Sequence, residues 1–257
     1  MQAVILAGGT QSTINNEYEG IPKPMVEIGG RPLLWHIMQN FSRYGIKDFI
    51  ICGGYKIDVI KQYFTDYYIY ESDITIDLQS NSIQIHKKKT ENWNVSVIDT
   101  GLYSSPGKRI SMIEKYINED AFLVSYGDCL SNINITELVE THKLHGKCAT
   151  LTMAKPIGRN KLLPMNKAGK LKYDAPLEEI RNDAWINADC LVFNKEVFQY
   201  IHGNFDLEEQ LLVALSKEGQ IGTYCHTGYW RAIETRRDLL SAENLWNKKQ
   251  APWINWD

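Results

Sequence analysis

Much of what bounds this chain of 257 residues is missing from it. Its five cysteines (Cys52, Cys129, Cys148, Cys190 and Cys225) never fall as Cys-x-x-Cys, which argues against a zinc site or a disulfide frame. They read as reduced, mostly buried thiols of a cytoplasmic protein. Neither sign of charge dominates, and a net charge of −3 gives no electrostatic reason to expect nucleic acid or an anionic membrane as partner. No apolar run approaches the roughly 20 residues of a membrane span. The opening MQAVILAGG carries no basic stretch ahead of its apolar run, so it reads as a buried strand rather than a leader. The phosphate-binding patterns GxxxxGK[ST] and GxGxxG are absent. So are internal repeats and linker-like stretches. With 44% hydrophobic residues, a single α/β domain spanning 1–257 is the expectation.

What is present alternates. Ala3–Ala7 is an unbroken apolar run stopped by Gly8-Gly9, the pattern of a central parallel strand. Leu34, Ile37, Phe41 and Tyr44 share one face of a predicted helix over Arg31–Tyr44, which Gly45 ends. A strand at Asp48–Cys52 and a helix at Lys56–Tyr67 follow. This β-α-β-α order predicts a Rossmann-like, mostly parallel sheet with helices on both faces. Period-2 stretches within 70–100 predict short antiparallel strands at the sheet edge, and 156–183 reads as a second hairpin-like insertion. Between and after these, strands are expected at Ala121–Tyr126, Cys148–Ala154, Asp189–Phe193 and Gln220–Cys225. Helices are expected at Lys108–Ile117, Thr136–His145, Lys195–Ile201, Leu207–Lys217 and Glu234–Lys248.

The residues that carry chemistry sit at strand ends. Gly8-Gly9 would place bare backbone N–H groups at the carboxyl edge of the sheet, where α/β folds bind ligands and a phosphate can approach the main chain. Taken alone, a glycine pair is as readily a tight turn. Lys23 lies between Pro22 and Pro24, so its backbone is fixed and its charge is aimed rather than left on a mobile surface. Tyr126-Gly127-Asp128 ends another strand, and a carboxylate there can hold Mg²⁺ against a triphosphate. Glu234 is a candidate second carboxylate, although a glutamate at a helix start is favoured by the helix dipole in any case.

The blocks MQAVILAGG, IPKPMVEIGGRPLLWHIM, GGYK, VIDTG, YGD, HKLHGKCATLT, WIN and LWNKKQAPW, in this order, resemble the glucose-1-phosphate cytidylyltransferase family over essentially the whole chain. The resemblance implies a nucleotidyltransferase variant of the Rossmann-like fold, assembled as a homo-oligomer. It implies attack of an acceptor phosphate on the α-phosphorus of CTP, with Mg²⁺ and release of pyrophosphate. By matching position, Leu6, Ala7, Gly8, Gly9, Gln11, Ser12 and Gly127 would lie against the nucleotide. Lys23 would bridge the reacting phosphates, Arg109 would reach the nucleotide, and Asp128 with Glu234 would ligate the metal.

Departures from the family pattern cluster. Its Gly-Thr-Arg is here Gln11-Ser12-Thr13, its Glu-Lys-Pro is missing near Glu178–Arg181, and its Asn-Gly-Gly is Asn187-Ala188-Asp189. A family aspartate is Glu234, and the aspartate following YGD is Asn132. Loss of one preorganised cation costs on the order of 10²- to 10³-fold in rate. Arg181 and Arg231 are the candidates to restore charge, and Glu179, Arg181, Asn187 and Arg231 form the candidate acceptor site. Because the changes fall on sugar-gripping features, the sequence reading favours a branch of the family that acts on L-glutamine phosphate for capsular phosphoramidate synthesis. Glucose 1-phosphate is the alternative acceptor, and a non-catalytic nucleotide-binding paralogue is the third reading.

Overall fold

The computed structural model describes residues 1–9, 14, 20–87, 91–156 and 184–254. In chain order the strands are β1 (Gln2–Ala7), β2 (Glu27–Ile28), β3 (Arg31–Pro32), β4 (Asp48–Gly53), β5 (Asp73–Asp77), β6 (Ser82–Lys87), β7 (Asn94–Asp99), β8 (Ala121–Tyr126), β9 (Cys129–Ser131), β10 (Ala149–Ala154), β11 (Ile186–Asn194), β12 (Ile221–His226) and β13 (Trp230–Ala232). The α-helices are α1 (Leu33–Ser42), α2 (Ile57–Tyr70), α3 (Pro106–Met112), α4 (Ile135–His145), α5 (Val213–Lys217) and α6 (Arg236–Asn247).

Among the described residues seven strands form one sheet in the order β12-β10-β11-β8-β1-β4-β7. β1 runs parallel to both β4 and β8, β4 runs parallel to β7, and β11 is the antiparallel member between β8 and β10. The mostly parallel sheet with helices on both faces is as the sequence predicts. Its side chains part as a pleat requires. Ala3, Ile5 and Ala7 face a core containing Leu34, Ile37, Met38 and Phe41 of α1, whereas Val4 and Leu6 face one containing Ile110, Leu207, Leu211 and Leu215. The tail closes the first core: Trp253 is fully buried and donates from Nε1 to His36 Nδ1 at 3.2 Å, while His36 Nε2 lies 2.9 Å from the Ile28 carbonyl.

Local differences from the sequence reading have plain causes. Arg31-Pro32 forms a two-residue ladder with Glu27-Ile28, so α1 begins two residues later than the apolar spacing suggests. In the 70–100 insertion, β5 and β6 are the expected antiparallel hairpin, but β7 is a parallel edge strand of the main sheet. Period-2 alternation marks a half-exposed strand without saying which way its neighbour runs. Lys195–Tyr200 is 3₁₀, and Leu207–Leu212 is π-helical before α5. The closing helix begins at Arg236 behind Thr235, which forms a capping box with Asp238, so Glu234 precedes the helix instead of opening it. The predicted hairpin at 156–183 lies, apart from Pro156, outside the described residues. Cys52, Cys129, Cys148 and Cys190 are buried, Cys225 is exposed, and all five are free thiols. Among the described residues no helix is long and apolar enough to cross a membrane.

Candidate active site

The parallel strands β1, β4, β7 and β8 all deliver their carboxyl ends to one edge of the sheet. A cleft of about 170 Å³ opens there, lined by Leu6, Ala7, Gly8, Gly9, Lys23, Arg109, Gly127 and Asp128 together with Pro24, Ser104, Pro106 and Tyr126. Eight of the ten predicted nucleotide-site residues therefore converge, and the other two, Gln11 and Ser12, lie outside the described residues. A larger cavity of about 480 Å³ opens at the opposite, amino-terminal end of the strands, between Met1, Tyr44, Glu119 and α4. It contains none of these groups.

Lys23 is aimed as its flanking prolines require. Pro22 caps a single 3₁₀ turn over Lys23–Met25, closed by Met25 N donating to Pro22 O at 2.8 Å. The Lys23 ammonium reaches Asp128 Oδ2 at 2.6 Å, with both side chains about a quarter exposed. Gly127 makes this possible. Its N–H donates to Leu6 O at 3.0 Å, and a Cβ there would sit 2.9 Å from Pro24 Cγ and 3.1 Å from Leu6 O. Glycine lets the Asp128 turn lie flat against both the β1 end and the lysine turn.

Arg109 is held from within the protein. The side chain is 4% exposed, and Nη1 donates to Thr100 Oγ1 (2.7 Å), Gly101 O (2.7 Å) and Gly53 O (3.1 Å). Nη2 donates to Gly8 O and, at 3.2 Å, to Leu102 O. One guanidinium thus ties together the ends of β1 and β4 and the loop that follows β7. Any Cβ at position 8 would land on that guanidinium. Arg109 thus lines the cleft, as expected, and at the same time clamps the glycine loop in shape through the protein's own oxygens.

On the other side of Asp128 the site is acidic. Ile233 N donates to Asp128 O at 2.9 Å, and β13 pairs with β9, which brings Glu234 beside the Asp128 turn. Asp189, noted in the sequence only as the residue standing at the last glycine of the family's Asn-Gly-Gly, lies next to the Asp128 turn. It lies within β11 at φ 55°, a left-handed conformation suited to glycine, at a point where the β10–β11 register shifts. Its Oδ2 accepts from the Cys129 thiol at 3.1 Å, and the same Sγ is 3.4 Å from Asp128 Oδ1. Burial, with smaller contributions from the charges of Asp128, Glu208 and Glu234, raises the Asp189 carboxyl to about 6. An aspartate standing where the family pattern has glycine was the available signal.

Among the described residues no group of three or more histidine, cysteine or acidic side chains is placed as a closed metal cage. Mg²⁺ does not need one, since it binds one or two carboxylates and completes its shell with phosphates and water. Asp128 and Glu234 are carboxylates of the kind such a cation takes, and both contribute negative charge at Asp189, whose carboxyl is raised chiefly by burial.

The candidate acceptor residues fare differently. Asn187 is close by, accepting from Asp189 N at 3.0 Å and donating to Glu208 Oε1 at 2.9 Å. Arg231 is engaged by Asp238, with Nε at 3.1 Å and Nη2 at 2.9 Å from Oδ1. Its charge, expected to replace that of the missing loop arginine, is thus shared with a partner seven residues along the chain. Glu179 and Arg181 lie outside the described residues.

Residues 2–161 match the family model for nucleotidyl transferases. A glucose-1-phosphate cytidylyltransferase from Salmonella typhimurium is 42% identical over 260 residues, covering all of both chains, and one from Salmonella typhi is 42% identical with the same coverage. A mannose-1-phosphate guanyltransferase from Aspergillus oryzae is 25% identical over 96% of this chain and 64% of its own. Among solved structures, HddC from Yersinia pseudotuberculosis superposes with a TM-score of 0.69 at 21% identity, over 95% of this chain and 99% of that one, which supports the fold. The chain belongs to the nucleotidyl transferases. Within them it is a member of the glucose-1-phosphate cytidylyltransferase family.

Proposed function

We propose that the protein transfers CMP from CTP to a small phosphorylated acceptor, and that the acceptor is glucose 1-phosphate. An acceptor phosphate oxygen bonds to the α-phosphorus of CTP, the bond from that phosphorus to the α,β-bridging oxygen breaks, and pyrophosphate leaves as CDP-glucose forms. The observation that carries this reading is the meeting of Lys23 and Asp128 at 2.6 Å over the glycine-lined strand ends. In the proposed complex the triphosphate displaces Asp128 from Lys23, whose ammonium then faces the charge that develops on the phosphates. Backbone N–H groups of the Gly8-Gly9 loop receive the nucleotide phosphates, while Arg109 holds that loop in shape. Mg²⁺, held by Asp128 and Glu234, would supply Lewis-acid stabilisation of the triphosphate. The enzyme works in the cytoplasm as a homo-oligomer in this reading.

Full-length identity to the Salmonella enzymes favours glucose 1-phosphate over the acceptor reached from motif differences alone. L-Glutamine phosphate stands as the second reading. It is favoured by the carboxylates of Asp189 and Glu208 beside the Asp128 turn, which are complementary to the amino group such an acceptor carries. Pyrophosphate release from MgCTP, measured with each acceptor in turn, tests both readings. Turnover with glucose 1-phosphate is the expected result. Turnover with L-glutamine phosphate alone would transfer the assignment to the second reading. No release with any sugar, acyl or polyol phosphate would leave a nucleotide-binding protein without catalysis.

A further inference from the structure

The block Gly53-Gly54-Tyr55-Lys56 joins the end of β4 to α2. Its glycines are pressed against the site and the helix. A Cβ on Gly54 would fall 2.9 Å from both Gly8 O and Arg109 Nη1, and one on Gly53 would run into the Ile57 side chain. Lys56 makes the turn between them. Its backbone is left-handed, with φ 44° and ψ 47°, a conformation that glycine adopts freely and lysine does not. Asn81 and Lys249 are also left-handed, but in a hairpin turn and behind a helix, where such residues are ordinary. At position 56 a glycine would make the same turn with less strain. The fold alone gives no reason for the side chain.

Where that side chain goes supplies one. Lys56 is exposed, and its ammonium stands over the chain that leads into Lys23: a Cβ on Gly20 would lie 3.1 Å from Lys56 Nζ. Among the described residues no ion pair engages it. From Thr10 to Pro22 the sequence contains no lysine or arginine. Of the two cations that line the cleft, Lys23 faces the reacting phosphates in the reaction proposed above, and Arg109 is held by the protein's own oxygens.

We propose that Lys56 binds the β- and γ-phosphates of CTP and the pyrophosphate that leaves. The assignment rests on the reaction proposed above and names the group that meets its leaving half. An in-line displacement takes the nucleophile on one side of the α-phosphorus and releases the leaving group on the other. Asp128 at the end of β8, and Asn187 and Asp189 on β11, lie to one side of β1; Lys56 at the end of β4 lies to the other. An acceptor held on the β11 side therefore drives the leaving group toward β4. As the bond from the α-phosphorus to the bridging oxygen breaks, its electron pair stays on that oxygen, and negative charge grows on the pyrophosphate. An ammonium already placed there stabilises that charge as it develops. The ends of β8 and β4 are two strand spacings apart, roughly 10 Å, and a lysine side chain reaches back across part of that span.

Isothermal titration calorimetry on the full chain, with magnesium pyrophosphate, CMP and MgCTP as separate probes, tests the assignment. Lys56→Gln is expected to weaken pyrophosphate and CTP about 10- to 100-fold and to leave CMP within about twofold of the wild type. Lys56→Arg keeps a cation and is expected to restore most of the pyrophosphate affinity. Lys56→Gly is expected to lose pyrophosphate as the glutamine variant does while its thermal midpoint rises by about 2–4 °C, because the left-handed strain is gone. It carries the test should the glutamine variant not fold. Unchanged pyrophosphate affinity without the lysine overturns the proposal. So does an equal loss of CMP, the mark of a disturbed turn or of a contact nearer the nucleoside, and so does an arginine variant as weak as the glutamine one. No acceptor is present in these titrations, so a wrong choice of acceptor leaves their outcome intact. A wild type that binds neither CTP nor pyrophosphate overturns both this proposal and the reaction it rests on.

Discussion

Replacement of Arg109 by lysine separates the two roles this residue can have. Lysine keeps the charge but offers three donors from a single point, whereas the guanidinium spans oxygens of Gly8, Gly53, Thr100, Gly101 and Leu102 from two nitrogens. At least two of those five acceptors lose their donor. A hydrogen bond to a charged group contributes about 1.5–3 kcal/mol net, so the variant should lose about 3 kcal/mol or more of unfolding free energy. That is a large share of the 5–15 kcal/mol typical of a domain. Urea denaturation at pH 7.5 reads the loss, and steady-state kinetics at a temperature where the variant stays folded reads its consequence. Because the clamp acts through the Gly8 loop, KM for CTP should rise along with any fall in kcat. A variant with an unchanged urea midpoint and turnover down 10²- to 10³-fold would refute the reasoning and return Arg109 to direct contact with the reacting phosphates.

Three further outcomes are expected. Asp128→Asn should abolish Mg²⁺-dependent pyrophosphate release while leaving the thermal transition within a few degrees, and retained turnover would remove Asp128 from the chemistry. His36 is buried, and burial lowers its pKa from 6.5 to about 4. Stability is therefore full above pH 6.5 and is lost as pH falls toward 4, so the wild type should lose about 2–3 kcal/mol more than His36→Gln between pH 7.5 and 4.5 in denaturant titrations; parallel losses would count against the assignment. Asp189→Gly relieves a left-handed aspartate and removes a buried carboxylate, and should raise the urea-derived stability at pH 7.5 by about 1–2 kcal/mol; a loss would show that the Cys129 contact outweighs the strain.

The strands at Ala3–Ala7 and Ala121–Tyr126 could be read directly, because a strand buried on both faces is a nearly continuous apolar run, broken here only by Ser125 and followed in both cases by glycine. The direction of Lys23 was equally legible, since prolines on both sides leave its backbone little freedom. Arg109 was different. Its position matched a pattern, but whether a buried guanidinium meets a ligand or the chain's own carbonyls depends on where three separate loops end. Asp189 was half legible: the family's glycine at its position hinted at an unusual backbone, but the left-handed φ sits at a register shift between β10 and β11, which neither strand's sequence reveals alone. For Arg231, Asp238 could be seen seven positions on, yet the distance between them is set by the turn that Thr235 caps.

The Arg109 clamp also bears on the order in which the protein can mature. As the polypeptide is synthesised, the glycine pair at positions 8 and 9 emerges early, but the side chain that gathers its carbonyl with those of Gly53 and Gly101 is about a hundred residues behind. A nascent fragment can assemble β1 and β4 and still have no cradle. Competence to receive a nucleotide therefore arrives only after α3 has cleared the ribosome and docked, so a half-made chain would not sequester nucleotide triphosphate.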